Sequence, residues 1–217
     1  MGWSERASTR ASQKMPANYR DILEEAFYRE AWVIRDHDVP AELRVNTDQT
    51  NMVLVPGTRY TWAQKGAKQV PMVGIDDKRA FTLVPSISVS GELLPFQAIY
   101  QGLTNQSLPS AKCPTWSRAE EMRFRLLPSK TSTYWSTMDT MKDLVNTIIA
   151  PYFDHKRVQL ERQSDQKSIW KIDCWSVHKS KEFLAWMRQT HPCIVVIFVP
   201  ANCTGLTRRE MAHCGWI

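Results

Sequence analysis

The stretch from Ile169 to Val199 constrains the fold most. Ile169–Ile172 is a strand-sized apolar run, Ser180–Thr190 reads as an amphipathic helix, and Ile194–Val199, inside CIVVIFVPAN, is a second apolar run. Two short apolar strands joined by one helix make a parallel crossover, which needs a sheet with helices packed on it. Upstream, FTLVPSISVSGELLPFQAIYQG reads instead as an antiparallel hairpin turning at Ser90-Gly91. A hairpin first and a crossover last describe a mixed α/β sheet rather than a doubly wound one.

Other segments fit around that frame. Ile22, Leu23, Phe27, Ala31 and Ile34 recur at helical steps, so the spacing predicts a helix from Tyr19 to about Arg35, stopped by DHDVP. LRVNTDQTNMVLVPG predicts a strand through Val45, a polar break over Asn46 to Asn51, and a second piece from Met52 to Val55 before a Pro56-Gly57 turn. Pro85 lacks an N–H and fits only an edge strand or a bulge. The region 103–133 reads as a long loop with one short helix near Arg118 to Arg125. A helix from Met138 to about Phe153 is expected to bury Met141, Leu144, Val145, Ile148 and Ile149. Trp170, Trp175 and Trp186 read as core residues rather than base-stacking platforms.

Charge and cysteines narrow the function classes. The chain of 217 residues carries 28 Lys and Arg against 22 Asp and Glu, a formal +6 that favours a polyanionic partner without naming one. Its five cysteines fall in no zinc-ligand spacing, so a reducing compartment is expected. No apolar run is long enough to cross a membrane and the polar start does not resemble a secretory signal; the protein is expected to be soluble and intracellular. It contains no GxGxxG, GxxxxGK[ST] or GxSxG motif, which removes support for nucleotide-cradling folds and for the nucleophile elbow.

Two carboxylates stand out. Asp48 lies at the polar break in the first strand region and Asp173 at the end of a later strand. Each alone reads more readily as a turn or cap residue than as a ligand. If the two strands are sheet neighbours, both project from a similar level and offer hard oxygens to Mg²⁺ or Mn²⁺. Asp76-Asp77 reads as a turn and His178 as a helix-start histidine, while His213 and Cys214 make no zinc site.

NTDQT (46–50), YTWAQKGAKQV (60–70), DDKRAFTLV (76–84), GELLPFQAIYQG (91–102), IDCWSVHKSKEF (172–183) and FVPANCTG (198–205) together resemble the DDE superfamily endonuclease domain of pogo/Tigger-type, mariner-related DNA transposases, above all fungal copies. The likeness runs from about residue 1 to 205. It implies a ribonuclease H-like mixed sheet flanked by helices, incomplete at the C-terminus. It also implies a basic arm and helix over 1–40, the endonuclease domain over 41–205 and a divergent tail over 206–217. Asp48 and Asp173 match the family's first two catalytic, metal-holding acids. Paired divalent ions, Mg²⁺ or Mn²⁺, would activate a water or a DNA 3′-hydroxyl for in-line attack on a phosphodiester. Lys65, Lys68, Lys78 and Arg79 would sit on DNA backbone.

The sequence departs from the family after NCT. The chain reads NCTGLTRREMAHCGWI where the family carries its third acid; the count places that acid at Met211, with Glu210 one place short as the candidate catalytic and metal ligand. The expectation is a truncated copy with impaired DNA cleavage and strand transfer, nuclear by family role, its partner DNA and either a second copy or a full-length transposase. The alternative is a non-catalytic DNA-binding protein on the same fold.

Overall fold

The computed structural model describes residues 17–54, 80–173 and 180–200. In chain order the elements are helix α1 (Tyr19–Asp36), strands β1 (Arg44–Thr47), β2 (Thr50–Val53), β3 (Ala80–Val84), β4 (Ser86–Ser88) and β5 (Gln97–Tyr100), helix α2 (Trp116–Glu121) and strand β6 (Arg125–Pro128). Helix α3 (Met138–Leu144) then runs through a π-helical turn (Val145–Ile149) into α4 (Ala150–Gln159), followed by β7 (Ser168–Asp173), α5 (Lys181–Thr190) and β8 (Ile194–Val199).

The strands pair as two four-stranded sets, β4-β1-β7-β8 and β2-β3-β5-β6. One register joins them. Thr47 faces Ser86 and Thr50 faces Leu83, three residues on along one strand and three back along the other, so no residue is inserted between the sets. The break falls where Asp48 meets Pro85. Asp48 N–H donates to the Pro85 carbonyl at 3.2 Å, but proline has no N–H to return the second bond of the pair. The strand order is therefore β6, β5, β3/β4, β1/β2, β7, β8, with β3/β4 antiparallel to all the others. Apart from the added edge strand β6, this is the order and the single reversed strand of a ribonuclease H-like sheet.

Pro85 thus occupies an internal strand rather than an edge, tolerated because its missing donor coincides with the ladder's interruption. The hairpin turn is where the sequence places it. Gly91 N–H donates to the Ser88 carbonyl at 3.0 Å and Gly91 takes a φ of 89°, a conformation that suits glycine.

Helices cover both faces. On one, Trp170 packs edge-on against Phe183 of α5 at 6.3 Å, and Gln49 reaches the Met141 sulfur of α3 at 3.7 Å. Met141, Leu144, Val145, Ile148 and Ile149 are all buried, as the spacing predicts. A reciprocal pair of side-chain to backbone bonds between Thr137 and Thr140 starts α3, and Ser180 Oγ accepts from Phe183 N–H to start α5. On the other face lies α1, whose Glu30 binds Lys171 of β7 at 2.6 Å and whose Val33 is buried.

The helix predicted from Tyr19 is α1, although Phe27 on it is 56% exposed. Two expectations need correction. The 103–133 loop contains β6, paired in parallel with β5. The helix expected to stop near Phe153 runs to Gln159, with Pro151 accommodated just after the π-helical turn. Among the described residues no helix is long and apolar enough to cross a membrane.

Candidate metal and nucleic-acid site

β1 and β7 are parallel neighbours with Arg44 opposite Ile169 and Thr47 opposite Ile172. Asp48 and Asp173 are the next residues along the two chains, and Asp173 is in register with Val199 of β8. In-register residues on adjacent strands project to one side of the sheet with Cα atoms about 5 Å apart. The two strands are neighbours, which is the condition the sequence sets; Asp48 follows the last residue of β1 and Asp173 is the last residue of β7, both at the C-terminal ends of parallel strands.

Local structure fixes the first of them. Pro85 breaks the ladder at Asp48, while the Asp48 N–H stays tied to the Pro85 carbonyl at 3.2 Å. The next backbone amide, Gln49 N–H, donates to Asp48 Oδ1 at 2.9 Å and so orients the carboxylate. Gln49 is anchored in turn by Ser136, whose hydroxyl donates to Gln49 Oε1 at 2.8 Å. Asp173, by contrast, is the exposed last residue of β7.

Strand alternation puts Asn46, Arg44 and Lys171 on the same face as the aspartates. Lys171 and Glu30 are nearly buried, with 13% and 16% of their side chains exposed, and they form an ion pair beneath the carboxylates. Burial pushes the Arg44 guanidinium below its usual range, opposed by the charges of Glu30 and Glu42. The sequence signal for this layer was present but unread. A lysine two residues before Asp173 on a central strand faces the same way and requires a carboxylate partner.

Two hard oxygen donors at one level fit a divalent cation such as Mg²⁺ or Mn²⁺ but do not complete its shell. Among the described residues no group of three or more His, Cys, Asp or Glu side chains forms a further cluster. Glu210 and the expected backbone-binding residues Lys65, Lys68, Lys78 and Arg79 lie outside the described residues. So do Asp76, Asp77, Cys174, Trp175, His178, Cys203, His213 and Cys214. Trp170 is fully buried and Trp186 half-buried against Phe183, in keeping with core roles.

No protein-family model and no curated protein matches the chain. Among solved structures it is similar to a pre-cleavage Mos1 transpososome, at 11% identity and a TM-score of 0.49. It is similar as well to the mariner Mos1 paired end complexes with Mg and with Mn, each at 12% identity and a TM-score of 0.48. Each match covers 99% of this chain and 54% of the solved chain. The chain thus spans about half the length of the solved chains it matches.

Proposed function

We propose that this chain is a DDE-type endonuclease domain of the transposase class, acting on DNA phosphodiesters with Mg²⁺ or Mn²⁺ held between Asp48 and Asp173. The observation that supports the reading is the parallel pairing of β1 with β7, whose last pair, Thr47 with Ile172, immediately precedes the two aspartates. The six ordered motifs that resemble pogo/Tigger-type transposases support it independently. A bound divalent cation would polarise the phosphodiester and sharpen a water or 3′-hydroxyl as nucleophile. The chain's own part is to present two oriented carboxylates at a strand end and to back them with the Lys171–Glu30 pair. In this reading Glu210 supplies the third ligand, Lys65, Lys68, Lys78 and Arg79 hold DNA backbone, and the protein works in the nucleus with a second copy or a full-length transposase.

A second reading, a DNA-binding protein without chemistry on the same fold, rests on the formal charge of +6, which serves binding without any catalytic site. Nicking of supercoiled plasmid in Mn²⁺ separates the two. The endonuclease reading expects nicked circles from the wild-type chain and none from Asp173→Asn; loss in Glu210→Gln as well assigns Glu210 as the third ligand. A folded wild-type protein that leaves the plasmid supercoiled selects the second reading.

A further inference from the structure

Directly behind Asp48, on the opposite face of the sheet, three polar side chains from three adjacent strands are joined inside the core. Trp170 of β7 donates its indole N–H to Thr47 Oγ1 of β1 at 2.8 Å, and Thr47 Oγ1 shares a hydrogen bond with Ser86 Oγ of β4 at 2.7 Å. All three residues are buried: Trp170 is fully enclosed, Thr47 is 4% exposed and Ser86 1%. An apolar trio of the same shape would fill this space without the cost of desolvating two hydroxyls and an indole N–H. The polar trio is also placed where geometry counts. Thr47 is the residue before Asp48, Ser86 follows the Pro85 whose carbonyl receives the Asp48 N–H, and Trp170 lies on the strand that ends in Asp173.

We infer that Trp170, Thr47 and Ser86 are positioning residues for the proposed metal site, a cross-strand clamp that holds β4, β1 and β7 at the one relative height that brings Asp48 level with Asp173. The inference rests on the endonuclease reading and adds to it residues that touch neither metal nor DNA. The physical need is specific. The Asp48–Pro85 pair makes only one of its two possible backbone hydrogen bonds, so the ladder is weakest at the residue whose carboxylate must be placed most accurately. Metal ligands need placement to about half an ångström, and side chains behind the ligands commonly alter affinity 10- to 100-fold. Directional hydrogen bonds fix the relative height of neighbouring strands more sharply than apolar contacts, which tolerate sliding.

Mn²⁺ affinity of the full chain, read from the free-ion electron paramagnetic resonance signal, tests this alongside the thermal unfolding midpoint of each variant. Thr47→Val keeps the shape and removes both bonds; Thr47→Ser keeps the hydroxyl. The clamp predicts Mn²⁺ affinity at least about tenfold weaker in folded Thr47→Val and within about threefold of wild type in Thr47→Ser. Should Thr47→Val fail to fold, Ser86→Ala, which leaves the Trp170–Thr47 bond in place, is expected to weaken Mn²⁺ by several-fold. Variants that unfold at lower temperature yet bind Mn²⁺ as tightly as wild type overturn the positioning role and leave the trio merely structural. The Asp48→Asn, Asp173→Asn double variant is the control for the reading beneath it. If that variant binds Mn²⁺ like wild type, the metal site itself is disproved and the clamp with it.

Discussion

His191, just past the end of α5, shows how a single side chain carries a pH signature. Its Nε2 lies 2.9 Å from Asn146 Oδ1 on the π-helical turn, and its ring packs edge-on to Trp186 at 5.3 Å. Burial pushes the imidazole below its ordinary value of 6.5, with the Asp154 charge opposing. A histidine depressed in the fold favours its neutral form there. As pH falls through 6.5 the unfolded chain takes up the proton first, so stability is complete above that value and is lost progressively down through the folded pKa. The thermal midpoint is therefore expected to fall between about pH 7 and about pH 5, and to fall less steeply in His191→Gln, which still donates to Asn146. Parallel slopes for the two proteins would show that this histidine does not set the acid limit. None of this was legible beforehand: the Asn146 and Trp186 partners come from packing between α5 and the α3–α4 rod. The Asp48–Asp173 pair could be read as a pair only on the condition that its strands were neighbours, and the register supplies that condition.

At the level of elements, Pro85 is the clearest case of a sequence oddity with a structural consequence. Read alone, a proline in a hairpin strand suggests an edge or a damaged strand. In the sheet it coincides with a two-residue gap in the ladder, at Asp48 and Gln49, with pairing resumed in register on both sides. Pro85→Ala would restore the missing donor, worth about 0.5–1.5 kcal/mol, while loosening the unfolded chain by about 0.4–1 kcal/mol. The two nearly cancel, so the unfolding midpoint is expected to move little. Mn²⁺ affinity, however, is expected to weaken several-fold as Asp48 is drawn into a regular strand; unchanged affinity would make the gap incidental. A second element-level device joins α4 to β7. Arg157, 6% exposed, donates to the Gln166 carbonyl at 2.9 Å, to Ser168 Oγ at 2.8 Å and to Asp154 at 2.6 Å. Arg157→Met keeps most of the side-chain bulk and strands those acceptors, at an expected cost of about 2–4 kcal/mol in denaturant unfolding. A cost under about 1 kcal/mol would mean that water replaces the guanidinium. β6 escaped the sequence reading for an ordinary reason. Arg125–Pro128 is short, half-exposed and ends in proline, and only its pairing with β5 makes it a strand.

Across the whole molecule, the sequence revealed most where periodicity was strong. The crossover β7–α5–β8, the hairpin and the buried face of α3–α4 were all visible as apolar patterns. The continuity of one sheet through the Asp48–Pro85 break was not visible, because register is a relation between strands rather than a property of either. Nor was the layer of Lys171, Glu30 and Arg44 beneath the aspartates, which forms only when α1 lies on the same face. In the endonuclease reading the two aspartates and the formal charge of +6 make opposite demands on DNA. The excess of Lys and Arg attracts phosphates everywhere, whereas two carboxylates side by side repel a phosphodiester unless a cation lies between them. The sign of a metal effect on binding follows. In EDTA the Asp48→Asn, Asp173→Asn variant is expected to bind a short duplex at least as tightly as wild type, having lost two negative charges at the contact. On adding Mg²⁺ the wild-type chain is expected to gain affinity relative to the variant, and both should lose on the order of tenfold or more between 50 and 200 mM salt. Fluorescence anisotropy across the four combinations of protein and metal measures the coupling directly. A wild-type chain that binds no better with Mg²⁺, measured against the variant, would mean that DNA never reaches the carboxylate pair and would count against the endonuclease reading itself.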